Sequence, residues 1–216
     1  MFRRLKQNIK EKTGRATATK LTPEQDQSIS YNENSRKQVE EIAKALDQLS
    51  QRWRGGGLTP TEEIGDPANV LSGKLPKGKY GAALRVIHEM QTEIGRLERR
   101  ANDELLQNYV EGTFKAWLKG ENQKAHQIIN ELKTRRVDKD ACSSAYTSKA
   151  TPERQQQMEQ ANARFEEQLA IADAEFANFP TQQQNHARAI GKMAQMLAKH
   201  YDECQKVAEK HAEKVK

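Results

Sequence analysis

Residues 80–105 read YGAALRVIHEMQTEIGRLERRANDEL. Leu84, Ile87, Met90, Ile94, Leu97, Ala101 and Leu105 recur in steps of three and four, the spacing that lines one face of a helix against partner helices. The pattern continues through Phe114, Trp117, Ile128 and Leu132, and no proline follows until Pro152. One helix over 80–147 would span about 100 Å at 1.5 Å per residue, so it must lie along other helices to bury its stripe.

The flanking sequence supplies those helices. Downstream, Thr151 is placed to cap a helix with Pro152 at its first position. Met158, Ala161, Phe165, Leu169, Ala172, Phe176 and Phe179 then share a face. Pro180 is expected to bend this helix without ending it, because Ile190, Met193, Leu197, Tyr201, Cys204 and Ala208 resume the pattern. Upstream, Pro23 opens a polar helix with Glu24 and Asp26 in its first turn, and Val39, Ile42, Leu46, Leu49 and Trp53 form its apolar face before Gly55, Gly56 and Gly57 stop it. Glycines and prolines mark 55–79 as a connecting segment, with Asp66 as the cap of a short turn through Val70. The expectation is an all-α fold, an elongated antiparallel three-helix coiled coil with helices at about 22–54, 80–147 and 151–214. Alanine and methionine dilute its stripes, so burial against a second copy, a homodimer, is expected.

Composition agrees with long exposed helices. Of 216 residues 35% are hydrophobic, 31% charged and 6% aromatic, which disfavours sheet architectures. No run approaches the roughly 20 apolar residues that cross a bilayer, and the start lacks a secretory apolar segment. Two cysteines, Cys142 and Cys204, are too few for a disulfide framework and fit a reducing, cytoplasmic setting.

Charge is concentrated at one end. Of 36 basic and 30 acidic residues, seven basic and one acidic fall in the first 20, leaving 29 of each elsewhere. There Phe2, Leu5 and Ile9 share a helical stripe flanked by Arg3, Arg4, Lys6, Lys10 and Lys12, until Thr13 and Gly14 end it. A basic amphipathic helix over 1–20 would bury that stripe at the acyl boundary while its cations attract anionic headgroups. A disordered basic tail and a mitochondrial targeting peptide have the same composition and stay open at this point.

The chemistry-bearing residues form no catalytic constellation. His200, Cys204 and His211 stand four and seven apart, a spacing open to metal ligation, but a packed or exposed helix face accounts for them, and no metal is expected. His88, His126 and His186 are scattered. Gly55–Gly57, Gly73–Lys74 and Gly78–Lys79 lack the spacing of a phosphate-binding loop. No zinc spacing, aromatic RNA motif or basic zipper appears, so neither nucleic acid, cofactor nor enzymatic activity is expected.

Residues 114–141, FKAWLKGENQKAHQIINELKTRRVDKDA, resemble the second helix of BAR domains; Arg135-Arg136-Val137-Asp138-x-Asp140 is similar to the family's Arg-Arg-Leu-Asp-x-Asp signature. Tyr80-Gly81-x-Ala83-Leu84, Gln107-Asn108-Tyr109-Val110 and Gln160-Ala161-x-x-Arg164-Phe165-Glu166 resemble endophilin runs, and the basic start with Lys20-Leu21 resembles an N-BAR protein, so the resemblance spans nearly the whole chain. It implies a BAR domain over 21–216 that forms a crescent-shaped six-helix homodimer. It also implies binding to anionic phospholipid membranes, curvature sensing or generation, and a peripheral place in endocytosis and membrane trafficking. By position it implies anionic-lipid contacts at Lys115, Lys119, Lys124, Lys133, Arg135, Arg136, Lys139, Lys149 and Arg154, besides the N-terminal cations. Two departures stand out. Residues 142–148 lack the family's lysine-dense tip, and Leu71 and Leu75 are too sparse to carry the endophilin insert's membrane role onto 55–79. No Src-homology domain follows residue 216, so recruitment of proline-rich partners is not expected. The alternative is a cytoplasmic coiled-coil dimerisation scaffold or a module that binds a small GTPase, without membrane remodelling. That scaffold explains the heptads but not the cations gathered beside Phe2, Leu5 and Ile9.

Overall fold

The computed structural model of the chain describes residues 18–51 and 57–215. Every regular element among them is helical: α1 (Pro23–Gln51), α2 (Pro60–Lys74), α3 (Lys79–Glu104), a π-helical stretch (Leu105–Lys115), α4 (Ala116–Lys119), α5 (Glu121–Ser148), α6 (Pro152–Phe176), α7 (Phe179–Ala212) and a 3-10 turn (Glu213–Val215). The chain divides into two compact units, one of residues 1–38 and 117–183, the other of 39–116 and 184–216.

The first unit is built on an α5–α6 hairpin. Thr151 caps α6 as its sequence demands, its hydroxyl accepting from the Arg154 amide at 3.3 Å. Arg154 returns to close α5 by donating to the Ala145 carbonyl at 2.9 Å. The core joins Ile29 of α1, Ala125, Ile129 and Leu132 of α5, Phe165, Ala172 and Phe176 of α6, and Phe179. One polar pair interrupts it: Asn122, fully buried, donates to the Asn32 side-chain oxygen at 3.0 Å.

Pro180 does not bend a continuing helix. Helix α6 stops at Phe176, and α7 starts at Phe179, so the proline sits in a first turn where a missing N–H has no carbonyl to lose. The Phe176 and Phe179 rings pack 5.6 Å apart across this turn.

The second unit departs further from expectation. Residues 55–79 contain a fifteen-residue helix, α2, capped by Thr59 in place of Asp66. The Thr59 hydroxyl accepts from the Glu62 amide at 3.2 Å while Glu62 accepts from the Thr59 amide at 2.8 Å, a reciprocal box that Thr59-Pro60-Thr61-Glu62 encodes. Gly65, which reads as an interruption in sequence, and Gly95 are where α2 and α3 approach closely: a Cβ on Gly95 would lie 2.5 Å from the Glu62 side chain.

The single helix expected over 80–147 is interrupted twice. Leu105–Lys115 widens to π geometry, with the Thr113 hydroxyl donating to the Asn108 carbonyl at 2.8 Å, five residues back. The wider turn lets Leu105, Leu106, Tyr109, Val110 and Phe114 all reach the interior. Gly120 then separates α4 from α5.

Ion pairs link α3 to α7 and to the 3-10 turn that follows it. Arg100 pairs with Glu203, Glu93 with Lys210 and His211, and Glu89 with Lys214. Residues expected to form the apolar seam stay in water here: Ile42, Leu49, Ile190 and Tyr201 are exposed, while Val39 and Ala43 are buried. Trp53 lies outside the described residues.

Candidate functional site

The insertion stripe Phe2, Leu5 and Ile9 and the cations Arg3, Arg4, Lys6, Lys10 and Lys12 lie outside the described residues. The point where that segment joins the first unit is well defined. Thr19 donates its amide to Asp140 Oδ2 at 3.0 Å and its hydroxyl to Oδ1, and Asp140 is buried on α5. Asp140 is the last residue of the Arg-Arg-x-Asp-x-Asp run, so the motif holds Thr19 against α5. The sequence quoted the motif without disclosing this partner, which lies 121 residues away.

The remaining candidate cations differ sharply in how far their charge is already answered. Lys124 meets the buried carboxylate of Glu175 at 2.7 Å, and that hydrogen bond raises the lysine pKa above its ordinary value. Lys133 pairs with Glu33 at 2.7 Å and Arg135 with Glu131 at 2.7 Å. Lys139 lies 4.2 Å from the centre of the buried Phe165 ring and 3.2 Å from Glu166, so its stem covers the core. Arg154 is committed to the carbonyls of Ala145 and Lys149 at the end of α5. Arg136 lines a groove of about 350 Å³ with Leu21, Ile29, Leu132 and Val137. Lys115 belongs to the second unit, where it bonds Glu111 at 2.7 Å and approaches Asp47 at 3.9 Å. Only Lys119 and Lys149 of this set are exposed without an ion-pair partner among the described residues.

These pairs do not remove the cations from reach of an anionic ligand. For the exposed pairs, Lys133–Glu33 and Arg135–Glu131 among them, the contribution is about 0–1 kcal/mol, which a headgroup phosphate can match while keeping the same cation in water. The arrangement supports electrostatic attraction by a charged helical surface.

His200 and Cys204 approach within 3.7 Å, but His211 turns to Glu93 at 3.0 Å. Among the described residues no cluster of three or more His, Cys, Asp or Glu side chains could hold a metal ion. None of the described helices is long and apolar enough to cross a membrane.

The family model described as BAR domain matches residues 1–216. The N-terminal I-BAR domain of Dictyostelium discoideum IBARa is similar at 11% identity and TM-score 0.45, over 90% of this chain and 88% of that one. The EFC/F-BAR domain of Drosophila Syndapin/PACSIN is similar at 10% identity and TM-score 0.30, over 88% of this chain and 77% of that one. No curated protein sequence matches.

Proposed function

The chain belongs to the BAR domain family, whose members form dimers and bind and shape membranes, and from that premise we propose that it is an endophilin-like N-BAR protein that senses or generates curvature on anionic membranes. Its N-terminal segment inserts Phe2, Leu5 and Ile9 between lipids while Arg3, Arg4, Lys6, Lys10 and Lys12 meet headgroups. Lys119 and Lys149 join them directly, Lys115, Lys133, Arg135 and Lys139 contribute where a phosphate displaces their acid partners, and Lys124, Arg136 and Arg154 add to the positive field around them. A homodimer rigid enough to hold its shape then bends the lipid, because flattening the protein costs more than curving the bilayer. The protein works peripherally, from the cytoplasmic side.

One observation carries this reading: the whole excess of positive charge lies within 20 residues of a three-residue apolar stripe. Thr19, held by Asp140, gives the segment a fixed point of departure. The exposed Ile42, Leu49, Ile190 and Tyr201 supply apolar surface that a second copy would cover. A dimerisation scaffold that binds no membrane is the second reading, favoured by the ion pairs that already answer Lys124, Lys133 and Arg135.

Co-sedimentation with phosphatidylserine and phosphatidylcholine vesicles separates the two. Selective binding to the anionic vesicles that weakens with salt, as screening beyond about 8–10 Å requires, supports the membrane reading. Equal failure to bind both supports the scaffold. Sedimentation equilibrium tests the dimer separately, and a monomer across micromolar concentrations would contradict it.

A further inference from the structure

Helix α2 is built inside out. The face it turns to α3 carries Glu62, Gly65 and Ser72, all buried. Glu62 pairs with Arg99, Thr61 donates to Glu98, and the Gly65 carbonyl meets His88 Nδ1 at 3.2 Å. The aliphatic residues point elsewhere: Ile64 is 62% exposed, Val70 52% and Leu71 40%. Helical spacing places Pro60, Ile64, Pro67, Ala68 and Leu71 on one continuous stripe. A helix held down by charge and glycine, with its apolar side in water, has the form of a docking surface.

Charge selects the occupant. Helix α2 carries Glu62, Glu63 and Asp66 in its first half against a single cation, Lys74, in its last turn. Glu62 is answered by Arg99, whose hydrogen bond lowers its pKa, leaving Glu63 and Asp66 exposed. The exposed Glu63 and Asp66 stand beside Ile64 and Pro67 in sequence, and an anionic bilayer repels that part of the helix. A basic amphipathic helix complements it on both counts. Residues 1–17 of this chain have that chemistry: Phe2, Leu5 and Ile9 beside Arg3, Arg4, Lys6 and Lys10. The step from Phe2 to Ile9 and the step from Ile64 to Leu71 are equal, about 10.5 Å each on helical spacing, so two ridges of the same pitch can meet.

We propose that the exposed stripe of α2 docks a basic amphipathic helix of the kind encoded by residues 1–17, making protein and lipid competitors for the same apolar side chains. The inference rests on reading that segment as basic and amphipathic. While docked, such a helix is withheld from the bilayer, and an anionic surface draws it away.

A labelled peptide of residues 1–17, titrated into the full chain and into a chain lacking residues 1–17, where no tethered copy competes, and followed by fluorescence anisotropy, tests this. The expected result is saturable binding that falls at least about tenfold with Ile64→Ser plus Leu71→Ser, and by a similar factor with Glu63→Lys plus Asp66→Lys. A Leu5→Glu peptide binds correspondingly more weakly, and phosphatidylserine vesicles displace the native one. All four substituted side chains are exposed, and circular dichroism checks that the variants keep their helices. Absence of saturable binding, or equal binding to native and substituted chains, overturns the proposal. Vesicle co-sedimentation of the full chain and of a chain lacking residues 1–17 keeps the two readings apart. Peptide bound to α2 with unchanged vesicle binding after the deletion contradicts the membrane function alone; the converse contradicts the docking alone.

Discussion

Two helices in this chain start the same way and are held to their neighbours by opposite means. Thr59-Pro60 opens α2 and Thr151-Pro152 opens α6, each threonine accepting an amide from the first turn. Helix α6 then packs on α5 through Phe165, Ala172 and Phe176. Helix α2 packs on α3 through Glu62, Arg99, Gly65 and Gly95, and leaves Ile64 and Leu71 outside. Local capping therefore fixes where a helix begins, whereas the identity of the buried face depends on what the neighbouring helix offers.

The comparison breaks most visibly at Phe165. Its side chain is 2% exposed, and Phe165→Ala is expected to lower unfolding stability by about 3–5 kcal/mol, because lost transfer energy and a cavity add together. Urea denaturation measures it.

Removing Glu62 has a smaller and more local effect. Glu62→Gln leaves Arg99 without its carboxylate, but Arg99 is 41% exposed and water screens part of the loss, so about 1–2 kcal/mol is expected. Hydrogen exchange should show it in α2 while α5 and α6 stay protected. The same pair sets a pH dependence. The folded-state pKa of Glu62 lies below the ordinary carboxylate value because of the Arg99 hydrogen bond. Its contribution is therefore complete above that ordinary value and disappears as pH falls through the depressed one. Protection of α2 should drop in acid before that of α6, and the Gln variant should lose this difference.

Thr59→Ala and Thr151→Ala should each cost about 1 kcal/mol, since both delete a helix cap. Thermal unfolding of the two variants checks whether the shared Thr-Pro start has shared value. The smallest effect belongs to Ile64→Ser, expected within about 0.5 kcal/mol because the side chain is already largely in water. A loss as large as that of Phe165→Ala would mean that α2 has an apolar inner face after all.

What the sequence disclosed follows the range of the interactions involved. Thr151 and Pro152 were legible because a cap is made within four residues. The spacing of Phe165, Ala172 and Phe176 was legible because one periodicity serves the whole hairpin. Helix α2 was not, since Gly65 and Pro67 resemble punctuation until α3 is alongside, although the Thr59-Glu62 box was a usable signal. The π-helical stretch hid behind the regular steps before it; only the five-residue intervals from Leu105 to Val110 and from Tyr109 to Phe114 betrayed a wider turn. The pairing of the candidate lipid-contact cations was least accessible, because Lys124 and Lys133 find acids 51 and 100 residues away.

The central claim is that the basic stripe at the chain start inserts into anionic membrane and that a dimer turns insertion into curvature. Electron microscopy of phosphatidylserine vesicles incubated with the native chain and with Phe2→Glu tests it most directly, alongside sedimentation equilibrium of both. Tubules are expected with the native chain, few or none with the variant, and the same dimer for each. Tubules of equal abundance with both proteins would contradict it.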